Sequence, residues 1–448
     1  MRLRSAVVVL AFVATNLVLL APAGAHDGEA SDSPSMQEKQ EAWEAVAARS
    51  QVGQGVSEGF APCIRGMAAR TYPCDGIDML AHVSPADLGL SFVNDMWGWT
   101  DPRTRRDYAL VGGTEGTVIV DISFAFRPRV VGILPAHMLD PQRPFWRDLK
   151  VFDNHMYVVS EQVGHGVQVF DLTEVRGVQG PVTFAETAHY DGISTAHNVA
   201  INTDTGFLYV VGAEDGAGTP ACGGGLHMVD INDPAAPTFA GCFSDHGYIH
   251  DTQCVIYGGP DPDHQGSEIC FNSNAADDGN FLSIVDVSDK SAPVALARMD
   301  YANDGYSHQA WLTPDQQFLL HGDELDELDH GIGTTTRVWD VRDLDNPVMT
   351  LAFENATTSI DHNIYTEGRV AYASNYTSGL RVYDTSRVAV PELSEKAFFD
   401  VYPENDNASF EGGTWSNYPY FRQKRIVAVS SIDRGLFILR PRISVTGH

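Results

Sequence analysis

Four histidines, His197, His250, His308 and His362, each open an apolar stretch at comparable intervals along the chain. Acidic residues recur in the same repeating part of the chain at Glu115, Glu161, Glu214, Asp323 and Glu324. Imidazole is a ligand for zinc, copper, iron or nickel, and carboxylate extends that set to manganese or calcium. Histidines delivered from separate strands would hold one divalent ion and leave a coordination position open, as a catalytic metal requires. A metal-bound water or an oxidisable substrate would then react there, with Glu324 or Glu214 as the base. The same residues can instead satisfy one another by hydrogen bonds and fill a polar ring that binds nothing. Either way they must be gathered from distant parts of the chain into one place, and that requires a repeating fold.

The most legible element that could gather them is Ser307 to Glu327, SHQAWLTPDQQFLLHGDELDE. It reads as a hairpin, with one strand opening on His308, a turn at Pro314-Asp315, and a return strand running into Asp323-Glu324. Antiparallel pairing across a short turn brings the start of the first strand beside the end of the second. His308 and Asp323/Glu324 are therefore expected on the same edge of a sheet.

Variants of this hairpin recur. The clearest repeat is Gly-apolar-x-apolar-x-Asp, a period-2 strand ending in a turn residue. It appears as GTVIVD (Gly116–Asp121), GVQVFD (Gly166–Asp171), GLHMVD (Gly225–Asp230) and GLRVYD (Gly379–Asp384). Looser copies end at Asp286, Asp340 and Arg440, which makes seven. Each unit also has an earlier strand opening on a polar residue or tryptophan: Asn94, Arg147, His197, His250, His308, His362 and Trp415. Successive openings are 50 to 58 residues apart. Units of that length with three or four short strands match propeller blades. The reading is an all-β, seven-bladed β-propeller over residues 90–442, after a helical and disulfide-loop extension over 26–89. The seven openings should ring one mouth of the channel, with Arg147 and Trp415 as further ligand-binding candidates beside the histidines. Which of them point inward is open, because one residue of slip reverses a strand's faces.

The repeat strands, the Asp-Pro turns, the CIRGMAARTYPC loop at Cys63 and the His308 hairpin resemble the LVIVD-repeat secreted proteins known as the choice-of-anchor B family. The resemblance covers about residues 60–440 and implies a propeller. That family is largely without an assigned activity, so no catalytic residue carries over. Its members often add a variable C-terminal surface anchor, whereas this sequence ends shortly after Arg440-Pro441-Arg442, so the resemblance implies a freely secreted member.

Residues 1–25 read as a secretory signal: Arg2 and Arg4, the apolar run Ala6–Leu20, then Ala23-Gly24-Ala25 as a cleavage site. No later run approaches the ~20 apolar residues of a membrane helix. The expected address is extracellular or periplasmic. The formal charge is −30, and loss of Arg2 and Arg4 with the signal moves it to −32. Such a balance argues against nucleic acid and anionic membrane as partners and favours attraction of cations. Six cysteines in an exported chain suggest disulfides. Fifteen connectivities exist, and locality favours Cys63–Cys74, Cys222–Cys242 and Cys254–Cys270.

Weaker candidates remain. Calcium could occupy the Asp-rich turns Asp261–Glu268 and Asn274–Asn280, although both lack EF-hand spacing. His26 would head the mature chain and could chelate copper. Ser35–Ser50 has approximate helical spacing and reads as a short helix or an unanchored tail. No GxSxG elbow, P-loop or HExxH occurs, and Gly223–Gly225 leads into a strand, so it is a turn and not a phosphate cradle. Three functions follow: a binding propeller for a protein, glycan or small molecule with a metal or ligand site at the channel mouth; a metal-dependent oxidoreductase or hydrolase using the histidine arc; or a surface adhesin.

Overall fold

Each Gly-apolar-x-apolar-x-Asp segment is the third strand of an antiparallel sheet, and two features of the motif show why. Its aspartate turns the chain: Asp121, Asp171, Asp230, Asp286, Asp340 and Asp384 each accept the backbone N–H two residues on, at 2.8–3.1 Å. Its glycine lets the outer strand come close. A Cβ at Gly116 or Gly379, both with positive φ, would lie 2.2 Å from Leu134 O or 2.3 Å from Phe399 O.

In the computed structural model of the protein, residues 34–49, 57–138, 146–276, 279–421 and 425–443 are described. They form seven sheets arranged as the blades of a β-propeller. The inner strands are Val93–Thr100, Arg147–Phe152, Asn198–Asn202, Ile249–Ile256, Ser307–Leu312, Ile364–Glu367 and Thr414–Tyr418. Each touches the inner strand of the next blade, and the last touches the first, so the ring closes. Apolar residues between blades form the core. Val93, Met96 and Val111 of the first blade, for example, pack on Leu80, Ala428 and Ile438 of the last. Each buried Val, Leu, Ile or Met among them contributes about 1.5–3 kcal/mol.

Closure comes from the N-terminal side. Ile77–Val83, placed by sequence in the extension, is the outer strand of the seventh blade and pairs antiparallel with Gly435–Pro441. The boundary expected at residue 90 therefore falls too late. The Cys63–Cys74 loop lies against the sixth blade, where Tyr72–Asp75 pairs with Ser394–Phe399. The other two disulfides are Cys222–Cys242 and Cys254–Cys270, so all three follow the locality expectation. They suggest an oxidising compartment. No described helix is long and apolar enough to cross a membrane. The signal segment and His26 lie outside the described residues.

Among the described residues, the one helix of more than a turn or so, α1 (Pro34–Arg49), belongs to no blade. It is an anchored helix and not a tail. Ser35, Lys39, Trp43 and Val46 are buried, at spacings of four, four and three, so a single face docks. That face lies on the end of the propeller where the inner strands begin. Trp43 and Val46 pack there with Phe92, Tyr306, Tyr376, Phe410 and Trp415.

Candidate cation site at the channel mouth

A strand alternates its faces, so consecutive residues cannot both line a channel unless the ladder is broken. It is broken at the mouth. The register shifts by one residue across Val93/Met96, Ile249/Asp251, Ser307/Gln309 and Thr414/Ser416, which are bulges at Asn94-Asp95, His250, His308 and Trp415. Such bulges re-aim side chains. His197 and His362 reach the mouth differently, from just ahead of their strands.

The result is a continuous arc of rings. Centroid separations are 4.4 Å for His197–His250, 4.4 Å for His250–His308, 4.1 Å for His308–His362 and 5.0 Å for His362–Trp415. Two imidazoles are fixed from behind: His250 Nδ1 donates to His308 O at 2.7 Å, and His362 Nδ1 donates to Trp415 O at 2.5 Å. A carbonyl only accepts, so Nδ1 carries the proton and Nε2 keeps its lone pair. His250 Nε2 is buried with no hydrogen-bond partner among the described residues. His362 Nε2 faces Glu324 Oε1 at 3.7 Å, and His308 Nε2 faces Glu324 Oε2 at 3.9 Å. Burial holds these imidazoles neutral: His250 and His308 titrate well below the ordinary range, and His362 is lowered to about 4.

Glu324 is fully buried on the axis side of the fifth blade. Its Oε1 accepts from Tyr376 OH at 2.6 Å and its Oε2 from Lys39 Nζ at 2.7 Å. Burial pushes this carboxyl up, but the Lys39 ammonium, His362 and the two hydrogen bonds outweigh it, and the group stays ionised below its ordinary value. The His308–Glu324 proximity expected from the hairpin is thus present, with Ser307 paired to Asp323.

Other candidates have other duties. Asp323 is buried and accepts from Tyr301 OH and the N–H groups of Gly305, Tyr306, Leu325 and Asp326, so it is a turn anchor facing away from the channel. Glu161 binds His197 Nδ1 at 2.5 Å. Glu214 is half-buried and its backbone bridges to Thr195. Arg147 leaves the ring: its strand pairs in register with no bulge, so it turns into the blade, donating to Gly113 O at 3.1 Å and contacting His165 Nε2 at 2.9 Å. It is not placed to clamp a ligand at the mouth. Trp415 lines the mouth but is covered by Trp43, 5.1 Å away. Of the Asp-rich turns, Asp261 spends its oxygens on the N–H groups of Asp263 and Leu344. Asn274 binds the carbonyls of His246 and Tyr248. Residues 277–278 lie outside the described set.

A second ring, one residue further along the strands, was not singled out by sequence. Asp95, Asp148 and Asp251 are buried around Lys150, whose Nζ lies 2.5 Å from Asp148 Oδ1 and 3.8 Å from Asp95 Oδ2. Their signal was the Asp that follows Asn94, Arg147 and His250 at three of the seven openings.

The LVIVD repeat family matches residues 221–245 and 275–300, the third and fourth blades. The chain is a seven-bladed β-propeller that carries LVIVD repeats. Solved structures similar to this LVIVD-repeat propeller include a chain of the mitotic checkpoint complex, at 11% identity and TM-score 0.52 over 87% of this chain and 92% of that one. U3-55K follows at 8% and 0.50 over 78% and 95%. The Cps50 (Swd1) β-propeller domain of Myceliophteria thermophila has 11% and 0.48 over 79% and 99%. At these identities the likeness to the first two carries the fold alone. No curated protein matches the LVIVD-repeat propeller.

Proposed function

We propose that this exported LVIVD-repeat propeller is a binding protein whose channel mouth holds one divalent transition-metal ion on His308, His362 and Glu324, with His250 as the neighbouring nitrogen. One observation carries the reading: donor atoms of His308, Glu324 and His362 converge within 4.8 Å of one another, all three residues buried. Two further features support it. The imidazoles are neutral, as metal ligands must be, and His362 is oriented by a carbonyl on its far nitrogen, as ligating histidines usually are. Three protein ligands leave a position open for a bound molecule. A protein partner for the same face is the simplest occupant, since the similar propeller of the mitotic checkpoint complex works within a protein assembly.

The test is elemental analysis of protein purified without chelator, followed by titration with copper, zinc and manganese. The expected result is one ion per chain, lost in the double variant His308→Ala/His362→Ala while the fold survives. No ion as purified, and no one-to-one binding on titration that the double variant abolishes, would sink the reading.

A further inference from the structure

The mouth already holds a cation, and that cation does not come from the propeller. Lys39 Nζ reaches Glu324 from α1, and its ammonium lies 5.7 Å from the Tyr306 ring and 5.8 Å from the Phe410 ring, with Trp43 of the same helix at 4.8 Å. All seven blades are complete without α1, because Ile77–Val83 closes the last one. The carboxylate, the Tyr376 hydroxyl that orients it and the aromatic rings are therefore a preformed feature of the propeller, and α1 is its occupant. Several buried aromatic residues gathered at one end of a channel, around one carboxylate, form an exposed apolar patch once the helix is lifted, which is how interaction sites are marked. The chemistry selects the occupant: a carboxylate takes the charge, and ring faces take an ammonium by cation–π attraction. Lys39 uses one of its three N–H donors on Glu324, while His250 Nε2, whose lone pair is left free by the Nδ1 hydrogen bond to His308 O, is buried with no partner among the described residues. The pocket has more acceptor capacity than Lys39 consumes.

We infer that the channel mouth is a recognition pocket for a primary alkylammonium group, filled in cis by Lys39 of α1 and available to an external ammonium ligand when α1 withdraws. The ligand is a lysine side chain of a partner segment or a free alkylamine; both offer the same head group. The inference rests on Glu324, which the metal reading also uses, but needs neither His308 nor His362 as a ligand, so each can fail alone.

Lys39→Ala in the full chain deletes the atoms of n-propylammonium, and that small cation is the probe. Melting is followed for wild type, Lys39→Ala and Lys39→Ala/Glu324→Gln in n-propylammonium chloride, with sodium chloride and n-propanol as controls. Lys39→Ala should lose about 5 °C in Tm. n-Propylammonium at millimolar concentration should restore most of that loss saturably, the controls none. Wild type, whose pocket is full, should not respond, and neither should the double variant. If Lys39→Ala does not fold, recovery on refolding in n-propylammonium but not in sodium chloride gives the same readout. A peptide of residues 35–49 binding Lys39→Ala more than tenfold tighter than n-propylammonium assigns the pocket to a partner's lysine; comparable binding assigns it to small amines. A shift equal in all three proteins, or none in Lys39→Ala, overturns the inference.

Discussion

The channel contains buried carboxylates at two levels, and each level is neutralised by one lysine. At the mouth, Lys39 serves Glu324; one residue further along the strands, Lys150 serves Asp95, Asp148 and Asp251. The electrostatic problem is the same, since a carboxylate removed from water needs a partner or a proton. The solutions differ in origin. Lys150 lies on the inner strand Arg147–Phe152, paired along its length with His155–Ser160, and it cannot leave without opening the second blade. Lys39 arrives on a helix that belongs to no sheet. One cation is built into the ring and the other is docked on it. The lower site is therefore architecture, and the mouth is a place where occupants can be exchanged.

The largest expected effect tests that difference directly. Lys150→Met strands three buried carboxylates and should cost about 3–5 kcal/mol of global stability. Lys39→Met breaks an equally buried pair, but α1 can lift and let water reach Glu324, so its global cost should stay under about 2 kcal/mol. Urea unfolding of the two variants checks this. Equal losses would mean that α1 is as integral as a blade strand.

Next in size is the docking of α1 itself. Trp43 is fully buried, with ring contacts to Phe92, Trp146, Phe410 and Trp415. Trp43→Ala should remove about 3 kcal/mol of packing, but locally. Hydrogen exchange should accelerate at least tenfold in residues 35–46, while the inner strand Ser307–Leu312 keeps its protection. Loss of protection in both would merge the two levels into one cooperative unit.

The sequence disclosed the parts of this arrangement that are local. Six period-2 strands ending in Asp are visible because each Asp makes its own turn, two residues long, and the seventh, ending at Arg440, is visible by its spacing from them. The ring of openings is visible because the units align. The His308–Glu324 pair is visible because a single hairpin joins them. What stayed hidden depends on contacts between distant residues or on breaks in the ladder. Bulges at Asn94-Asp95, His250, His308 and Trp415 have no signature in residue type, so nothing in the sequence separated Arg147, which turns away, from His250, which turns in. Lys39 meets Glu324 across 285 residues of sequence. Its only local trace is the buried face of Ser35, Lys39, Trp43 and Val46, a pattern that proposes a docked helix but not what it docks on. Ile77–Val83 was assigned too early for a similar reason, as its partner strand lies at the other end of the chain.

A smaller effect sharpens the account of the lower level. Burial and the nearby Asp148 push the Asp95 carboxyl well above its ordinary range, against the pull of Lys150. An acid whose folded value exceeds its unfolded one favours folding most below about pH 4, where both forms are protonated. That contribution is lost as pH rises towards the folded value. Asparagine mimics the protonated acid, so Asp95→Asn should change stability by about 1 kcal/mol or less at pH 4. It should lose less stability than wild type between pH 4 and 8. Chemical denaturation across that range measures both. A steeper loss in the variant would place the negative charge on Asp95 throughout that range.

The smallest expected effect lies outside the channel and acts as the control for both levels. Asp261, His264 and Asp345 also converge, but near the surface. The resemblance to the mouth is superficial. Asp261 has already given its oxygens to the backbone of Asp263 and Leu344, and what remains is a pair between His264 Nε2 and the exposed Asp345 at 3.1 Å. Water screens such a pair, so it contributes little. His264→Ala should therefore change stability by less than about 0.5 kcal/mol, and millimolar calcium should leave the melting of wild type and variant alike. A calcium-dependent rise in Tm that His264→Ala or Asp345→Ala removes would show that surface convergence suffices for binding here. The distinction between docked and built-in cations would then no longer be what sets the channel mouth apart.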